Sequence, residues 1–568
     1  MWVSRTGREW ALLRADDTAV EAVRVALGVG PAVARVLAAR GYDAASARGF
    51  LAPGPGAFVD PGRLLGIDRA LARLGDAAVR GEHVRLVTDY DVDGTTSCLI
   101  LHAALDRLVQ RRGGGATVSY HIPDRFTEGY GLSQRAVDHA ARDGVRVLVT
   151  ADIGVRDHVN VRRAAEAGID VLVVDHHLPA GESVPDAALA VLCPPQVGCA
   201  YPNKALAACG VSLKLATALL DGDPRRDALL RSMLKLAAVG TVADVVDLAT
   251  PENRAIVALG LDALNDGPHG PGLAALIEVA GLAGKAVDAA ALGWRIGPRI
   301  NAAGRLDDAA AVVRLLRERD PDAAMAQARA LDALNRERQG IQEALVALAL
   351  AQVPDPAPPF VVCAGPEDDG WHRGVVGIVA GKVRERVHRP VAVVSILGAH
   401  ATGSVRSVPA VHAVRALDAA SDLLVRYGGH AAAAGFTVAT DRIDALRERL
   451  ADYVAAHVDD GALVPREEID VELAARDVGF PLVADLARLE PCGKGNPAAR
   501  IAVRGRLAGA RVVKDRHLFF RVGEADAVWW NGAEHRALID GEARVFGTVA
   551  TESWNGRDSV RVIVDDVG

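Results

Sequence analysis

The sequence predicts an α/β protein of several domains: a doubly wound parallel sheet, a second α/β domain reached through a long helix, and a small C-terminal β-barrel. Three observations predict it. Between about residues 83 and 193, short β-branched runs alternate with amphipathic helical stretches. Residues 322–352 contain no proline and a single glycine. Beyond Val464-Pro465 and one more helix, the chain becomes rich in turns and strands. At 568 residues it is too long for one hydrophobic core, so three or four domains are expected.

Taken in order, residues 1–70 read as mostly helical, with a break at Pro53-Gly54-Pro55-Gly56. Residues 84–88 then read as strand, 95–109 as helix, 117–121 as strand, 133–143 as helix, 145–150 as strand, 155–167 as helix and 171–174 as strand. Strands this short, apolar on both faces and separated by helices, belong to a parallel sheet covered on both sides. Residues 322–352, rich in Ala, Leu, Arg and Gln, favour a helix, which would run roughly 45 Å, enough to connect two domains. Pro354, Pro356, Pro358 and Pro359 stop it. A second α/β pattern runs from 360 to about 458, and a helix follows near 481–489. Alternation over 504–513, 518–522 and 544–550 suggests the barrel.

Bulk properties exclude some classes. Half the residues are hydrophobic and 24% are charged, ordinary for a soluble globular protein. A net charge of -7 argues against a uniformly basic nucleic-acid binder; positive charge would have to be local, with negative charge gathered elsewhere, as in a metal site. The N-terminus has no apolar core of signal-peptide type, and no apolar run is long enough to span a bilayer, so the expected compartment is the cytoplasm. Cys98, Cys193, Cys199, Cys209, Cys363 and Cys492 form no CxxC pair and read as free thiols.

The acids fall where the strands end. Asp89, Asp91 and Asp93 follow the first strand, Asp152 follows the third, and Asp175, His176 and His177 follow the fourth. The carboxyl ends of strands in an open parallel sheet line one crevice, so five carboxylates and two imidazoles meet at one edge. A single such Asp is most often a helix cap or turn residue. Three strand ends carrying acids together, one with two histidines, instead call for divalent cations, since mutual repulsion would otherwise raise their pKa values. Mixed carboxylate and imidazole ligation favours Mn²⁺, with Mg²⁺ as the alternative, and this many ligands suit two ions. A further acid, Asp244, stands in Gly240-Thr241-Val242-Ala243-Asp244; spacing alone does not choose it over Asp247.

Asp89-Tyr90-Asp91-Val92-Asp93-Gly94, Thr150-Ala151-Asp152, Asp175-His176-His177 and Gly240–Asp244 resemble, in order, the four motifs of the DHH phosphoesterases. Later stretches narrow the likeness to the exonuclease branch of that superfamily: Arg299-Ile300-Asn301-Ala302-Ala303-Gly304-Arg305-Leu306, Trp371-His372-Arg373-Gly374, Gly403-Ser404-Val405-Arg406-Ser407, Gly428-Gly429-His430 and Glu490-Pro491-Cys492-Gly493-Lys494-Gly495-Asn496-Pro497. The resemblance implies a helical leader over 1–70 packed on the catalytic domain, a DHH catalytic domain over 71–270, a linker with the long helix over 271–353, a DHH-associated domain over 354–460, and an OB-fold over 461–568. It implies 5′→3′ exonuclease activity on single-stranded DNA, releasing 5′-mononucleotides, in DNA repair and recombination. By the same likeness Asp89, Asp91, Asp93, Asp152, His176 and Asp244 hold two Mn²⁺ or Mg²⁺ ions, Asp152 bridges them, and His177 lies beside the scissile phosphate. Asp91, Asp93, Asp152, His176 and His177 are thus the expected catalytic set. Ile153 departs from the family, which usually places a polar residue or cysteine after the second-motif aspartate.

Several residues are expected to handle DNA. Arg406 sits with Ser404 in a Gly/Ser-rich turn, where a guanidinium fork can meet phosphate oxygens. Arg125 and Arg305 are further candidates, and the resemblance assigns Arg406 and Arg125 to the 5′-phosphate. Tyr130, between two glycines, is placed to stack on a base, and His430 to face phosphate. Residues 500–521 carry seven basic residues against one acid, with Phe519 and Phe520 inside the run, as a strand-tracking barrel needs. The expected partner is single-stranded DNA, with a helicase and single-strand-binding protein as candidates beyond it, no membrane, and a monomeric state. Two other readings compete: a DHH oligoribonuclease or cyclic-dinucleotide phosphodiesterase, whose members are shorter and lack the barrel, and a non-catalytic single-strand-binding relative, which would have lost the acids.

Overall fold

The computed structural model describes residues 1–568 except 180, 182, 555 and 556, with all side chains but those of 460, 553, 554 and 557. The first sheet is wholly parallel. Its strands β1 (His83–Thr88), β2 (Thr117–His121), β3 (Val145–Ala151), β4 (Asp170–Val174) and β5 (Ala190–Leu192) lie in the order β2-β1-β3-β4-β5. Val147 and Val149 face one core with Leu86, Ile100 and Leu215, while Leu148 and Val171 face another with Val137 and Val161. Burial on both faces explains the uninterrupted apolar runs. The chain crosses from β1 outward to β2 and then back past β1 to β3, so the winding reverses between β1 and β3. A crevice opens there at the carboxyl ends.

The helix after β1, α1 (Val92–Arg112), begins three residues earlier than expected because Asp91 caps it: the Gly94 amide donates to Asp91 Oδ1 at 3.0 Å. Asp93 therefore stands in the first turn of a helix rather than on a loop. Two buried helices, α2 (Ala208–Leu219) and α3 (Arg226–Ala243), close over it, and α4 (Gly297–Leu306) follows a five-residue π-helical turn, Leu292–Ile296. The long helix α5 (Pro321–Ala351) is capped by Asp320. Ala324, Ala328 and Leu331 pack in a core with α4, whereas Leu345 and Ala349 pack in the core of the second sheet, so one rigid element belongs to both.

That second sheet, β6 (Val361–Pro366), β7 (Val391–Leu397), β8 (His400–Arg406), β9 (Leu424–Gly429) and β10 (Ala433–Ala439), runs β9-β10-β8-β7-β6, with only β6 and β7 parallel. The barrel is formed by β11 (Val471–Ala474), β12 (Ile501–Val513), β13 (His517–Val522), β14 (Ala525–Trp529), β15 (Glu542–Trp554) and β16 (Arg557–Val567). Pairing of β12 with β15 closes the ring β12-β13-β14-β16-β15, and β11 lies alongside β12.

The leader differs from expectation in two ways. Its first residues are strands, Trp2–Val3 and Glu9–Leu12, the latter pairing with Arg466–Ile469. Its helices over 17–51 pack on the barrel instead of the catalytic core, Val23, Val33, Val36, Leu37 and Phe50 meeting Val471, Ile501, Leu518 and Val545, whereas Leu64, Ile67 and Ala70 at its end do lie in the catalytic core. The helices over 17–51 thus extend the barrel's own core, while the opposite strand face, with Ala502 and Phe546, packs against Trp10 and Ile469.

Candidate metal centre and anion pocket

Each acid stands one residue past its strand and continues the ladder. The amide of Asp89 donates to Ala151 O at 3.2 Å, that of Asp152 to Val174 O at 3.0 Å, and that of Asp175 to Leu192 O at 3.0 Å. This places three carboxylates side by side across β1, β3 and β4. Asp152 has φ 64°, a left-handed conformation that Asp tolerates better than most residues. Close packing brings in the rest. A Cβ on Gly94 would lie 2.3 Å from Asp89 O, so only glycine lets α1 start against β1. A Cβ on Gly240 would lie 2.5 Å from Thr96 Oγ1 and 3.1 Å from Asp93 Oδ1, so only glycine lets α3 approach and deliver Asp244, its C-cap.

Three donor groups result, each with ligand atoms within 4.8 Å of one another: Asp89, Asp91 and Asp152; Asp152, His176 and His177; and Asp93, His176 and Asp244. His176 Nε2 lies 3.3 Å from Asp152 Oδ1 and 3.9 Å from Asp93 Oδ2, and its Nδ1 lies 3.7 Å from Asp244 Oδ2. Asp93 is held by the N-terminus of α2, accepting from the Ala208 and Cys209 amides at 2.7 and 2.8 Å. Asp175 is spent differently. Its oxygens accept from the His176, His177 and Val155 amides and from His177 Nδ1, at 2.7 to 3.1 Å, so it orients His177 instead of offering a ligand.

The electrostatics suit a bound cation. Burial, reinforced by Asp91, raises Asp89 well above the usual carboxylate range; burial, with Asp91 and Asp93, does the same to Asp152. Asp244 is pushed up to about 8 by burial and by Asp93. Burial pulls the His176 imidazole down, but Asp93 and Asp244 outweigh it and raise it. Asp89 Oδ1 and His176 Nε2 are buried without a hydrogen-bond partner. A carboxylate-rich, imidazole-containing donor set with orphaned ligand atoms fits Mn²⁺ or Mg²⁺. Cys193 and Cys209 are buried, Cys199 is half-buried, and all three are free thiols.

Beside the acids the fold gathers arginines. Arg125 lies 4.1 Å over the Tyr90 ring with Nε buried and unpartnered. Arg305 donates to Gly374 O at 3.0 Å across the two α/β domains; burial, with Arg125, lowers it to about 10. Arg406 donates to Ser404 Oγ and Val405 O, both at 2.9 Å. The charges of Arg125, Arg406, Arg338 and Asp91 all reach Arg305. None of these four arginines has a carboxylate ion-pair partner among the described residues, which leaves a concentrated positive site open to an anion. Arg338, on α5 and bonded only to Asn335 and Gln342, was missed in the sequence because nothing in a helix-forming run marks a buried arginine. Tyr130, expected to stack on a base, lies with its hydroxyl 3.3 Å from both Asp152 O and His177 Nε2, while the residue as a whole stays 57% exposed. His430 is exposed and close enough to His177 and Arg156 for their charge to lower it, after burial.

In the barrel Phe520 is core, whereas Phe519 faces outward between Arg511 and Arg561, at 5.3 and 5.4 Å, with Trp530 edge-on at 6.0 Å. Lys494, outside the basic run, acts on Asp244.

Comparison with known proteins defines the class first. Residues 83–241 match the DHH family N-terminal domain and 357–456 the DHHA1 domain, which makes this a DHH phosphoesterase. Residues 469–566 match the RecJ OB domain. The chain is 33% identical to the single-stranded-DNA-specific exonuclease RecJ of Bacillus subtilis, over 98% of this chain and 70% of that one. It is 38% identical to RecJ of Dickeya dadantii, over 80% and 81%. A crystal structure of RecJ with Mn²⁺ from Thermus thermophilus superposes with a TM-score of 0.83 at 32% identity, covering 99% of this chain and 79% of that one. Its Mg²⁺ complex gives 0.77 at 30% identity, over 98% and 78%. The chain belongs to the RecJ family.

Proposed function

We propose that this chain is a single-stranded-DNA-specific 5′→3′ exonuclease, hydrolysing phosphodiester bonds with two divalent ions, Mn²⁺ or Mg²⁺, and releasing 5′-mononucleotides. The observation that carries it is the meeting of an acid cluster, built from three strand ends, with a group of arginines that lack carboxylate partners. Asp89, Asp91, Asp93, Asp152, His176 and Asp244 would hold the ions, and Asp152, common to two donor groups, would lie between them. Bound there, the ions supply Lewis acidity to the phosphoryl group and to the attacking water.

The chain's own residues do the rest. Asp175 accepts the His177 Nδ1 proton, which fixes the tautomer and aims Nε2 toward the cleft. Arg125, Arg305 and Arg406, with Ser404, receive the terminal 5′-phosphate, and a fixed distance from that terminus to the acids sets both polarity and product size. His430 approaches from the second α/β domain. Phe519 and its flanking arginines hold the strand on the barrel. No helix of the described residues is long and apolar enough to cross a membrane, and a monomer acting in the cytoplasm, in repair and recombination, fits this reading. A helicase and a single-strand-binding protein are the partners that would supply and protect its substrate.

The test is digestion of end-labelled single strand, blunt duplex and dinucleotides side by side with Mn²⁺ or Mg²⁺. Mononucleotides should leave the 5′ end of the single strand while duplex resists. Preferential cleavage of dinucleotides would make the chain an oligoribonuclease; binding of single strands without cleavage would make it a non-catalytic relative.

A further inference from the structure

The acid cluster has two flanks, and the function above uses one. On the first, Arg125 acts on Asp89, and Asp91 acts on Arg305. On the second, Asp244 faces Lys494, which comes from the loop leading into the barrel; that loop is tied down by the Leu248 amide donating to Lys494 O at 2.8 Å. The turn Leu292–Ile296 and α4 connect the two flanks. At one end a Cβ on Gly304 would lie 2.7 Å from Tyr90 O. At the other, a Cβ on Gly293 would lie 3.5 Å from Val242 Cγ1, and one on Gly297 would lie 3.6 Å from Ala243 Cβ, both just ahead of Asp244. Trp294 and Arg305 are thus roughly 16 Å apart along a helix rising about 1.5 Å per residue.

At the second flank the surface is apolar without a structural reason. Trp294 is 78% exposed, the most exposed aromatic among the described residues, although a tryptophan ordinarily buries most of its large ring. It sits in the π-helical turn, a distortion that recurs at functional sites. Its neighbour Arg295 does not cover it, since its guanidinium donates to Gly281 O at 3.0 Å. Val245, directly after Asp244, is 58% exposed with φ 57°, a strained conformation for a β-branched residue. An exposed indole whose helix packs against the end of α3, an exposed valine directly after Asp244, and a lysine whose charge acts on Asp244 suit the strand that continues past the cleavage point.

We infer that Trp294, with Val245 and Lys494, forms a base-stacking platform for the nucleotides on the 3′ side of the scissile phosphate. The inference rests on the exonuclease reading. With the 5′-phosphate held among the arginines and the first linkage at the acids, the second and following nucleotides must leave over this flank on their way to the barrel. Stacking tolerates every base, as a nuclease without sequence preference requires.

The test pairs Trp294→Ala and Trp294→Phe, in the full-length protein with Mn²⁺, with 5′-phosphorylated oligonucleotides abasic at the second, third or fourth position. Trp294→Ala should raise KM on single strands about tenfold or more, and Trp294→Phe should recover most of that. In the unaltered protein an abasic site at one of these positions should weaken binding; in Trp294→Ala the same site should cost little, because the stacking partner is already gone. A general disturbance of structure would not erase a penalty at one nucleotide. Equal KM for the Ala variant, or abasic penalties that do not depend on residue 294 while single strands are still degraded, would overturn the platform alone. Should Trp294→Ala fold poorly, an unaltered protein indifferent to abasic sites at all three positions overturns it as well. If the unaltered protein does not act on single strands at all, the exonuclease reading falls first and the platform with it.

Discussion

Asp175 and Asp152 each stand one residue past neighbouring strands, yet their oxygens have different duties. Asp175 spends both on amides and His177, whereas Asp152 faces Asp89, Asp91, Asp93 and His176. Asp152→Ala should therefore lower turnover about 100-fold or more, on the order of losing one electrostatic stabiliser, and reduce Mn²⁺ occupancy measured by titration. The metal-free variant should stay folded and melt close to the metal-free parent, because losing a crowded buried carboxyl offsets the strain of alanine at φ 64°. Turnover close to that of the parent would refute the shared-donor assignment. Metal loading also has a sign in pH. Asp89, Asp152 and Asp244 hold protons more tightly in the metal-free protein, Asp244 up to about 8, and metal requires them ionised. Apparent Mn²⁺ affinity should rise with pH up to about 8, with protons released at pH 7, checked by calorimetry in buffers of different ionisation enthalpy. For Arg406→Ala, the preference for a 5′-phosphorylated over a 5′-hydroxyl end should fall by about 10- to 100-fold, the worth of a charged hydrogen bond. An unchanged preference would place the terminus elsewhere.

Among the elements, α1 shows how little room the site allows. It starts at Val92, against Asp89, only because residue 94 has no side chain. Gly94→Ala should force α1 from β1, costing about 1–3 kcal/mol of stability and loosening Mn²⁺ binding, since Asp91 and Asp93 move with the helix. Thermal melting and metal titration of the same sample check both; a variant unchanged in metal affinity would show that the helix can shift without its acids. The early start of α1 was invisible to periodicity, because an Asp that caps a helix and an Asp that offers a ligand look alike in sequence. β14 was not singled out for a related reason: five residues carry too little alternation to read, and its parallel pairing with β16 skips the whole of β15.

For the molecule as a whole, Arg254 joins what the chain separates. It is 1% exposed, stacks on the Phe50 ring at 3.7 Å, and donates to the carbonyls of Phe50, Leu489, Glu490 and Pro491 at 2.6 to 2.9 Å. One guanidinium thus ties the catalytic domain to the leader and to the loop entering the barrel. Arg254→Met keeps the length and strips this donor from all four carbonyls, of which Leu489 O and Pro491 O keep Asn496 Nδ2, so stability should drop by about 3 kcal/mol or more. The barrel with its leader should then unfold ahead of the catalytic sheet, read as two transitions in urea. One transition at the parent's midpoint would mean that the junction is held by other contacts.

Local order was legible without the structure. Apolar runs of fixed length, the acids at their ends and the four motifs in sequence were enough to foresee the parallel sheet, the connecting helix and the gathering of acids at the strand ends, because strand and helix patterns are written in residues near one another in the chain. The tertiary structure alone decided which acids have oxygens to offer, that Asp244 rather than Asp247 faces His176, that the leader helices pack on the barrel, and that Arg125, Arg338 and Arg406 come near enough for their charges to act on Arg305. Most of these depend on contacts between segments well separated in the chain, and neither propensity nor periodicity carries information about such pairs.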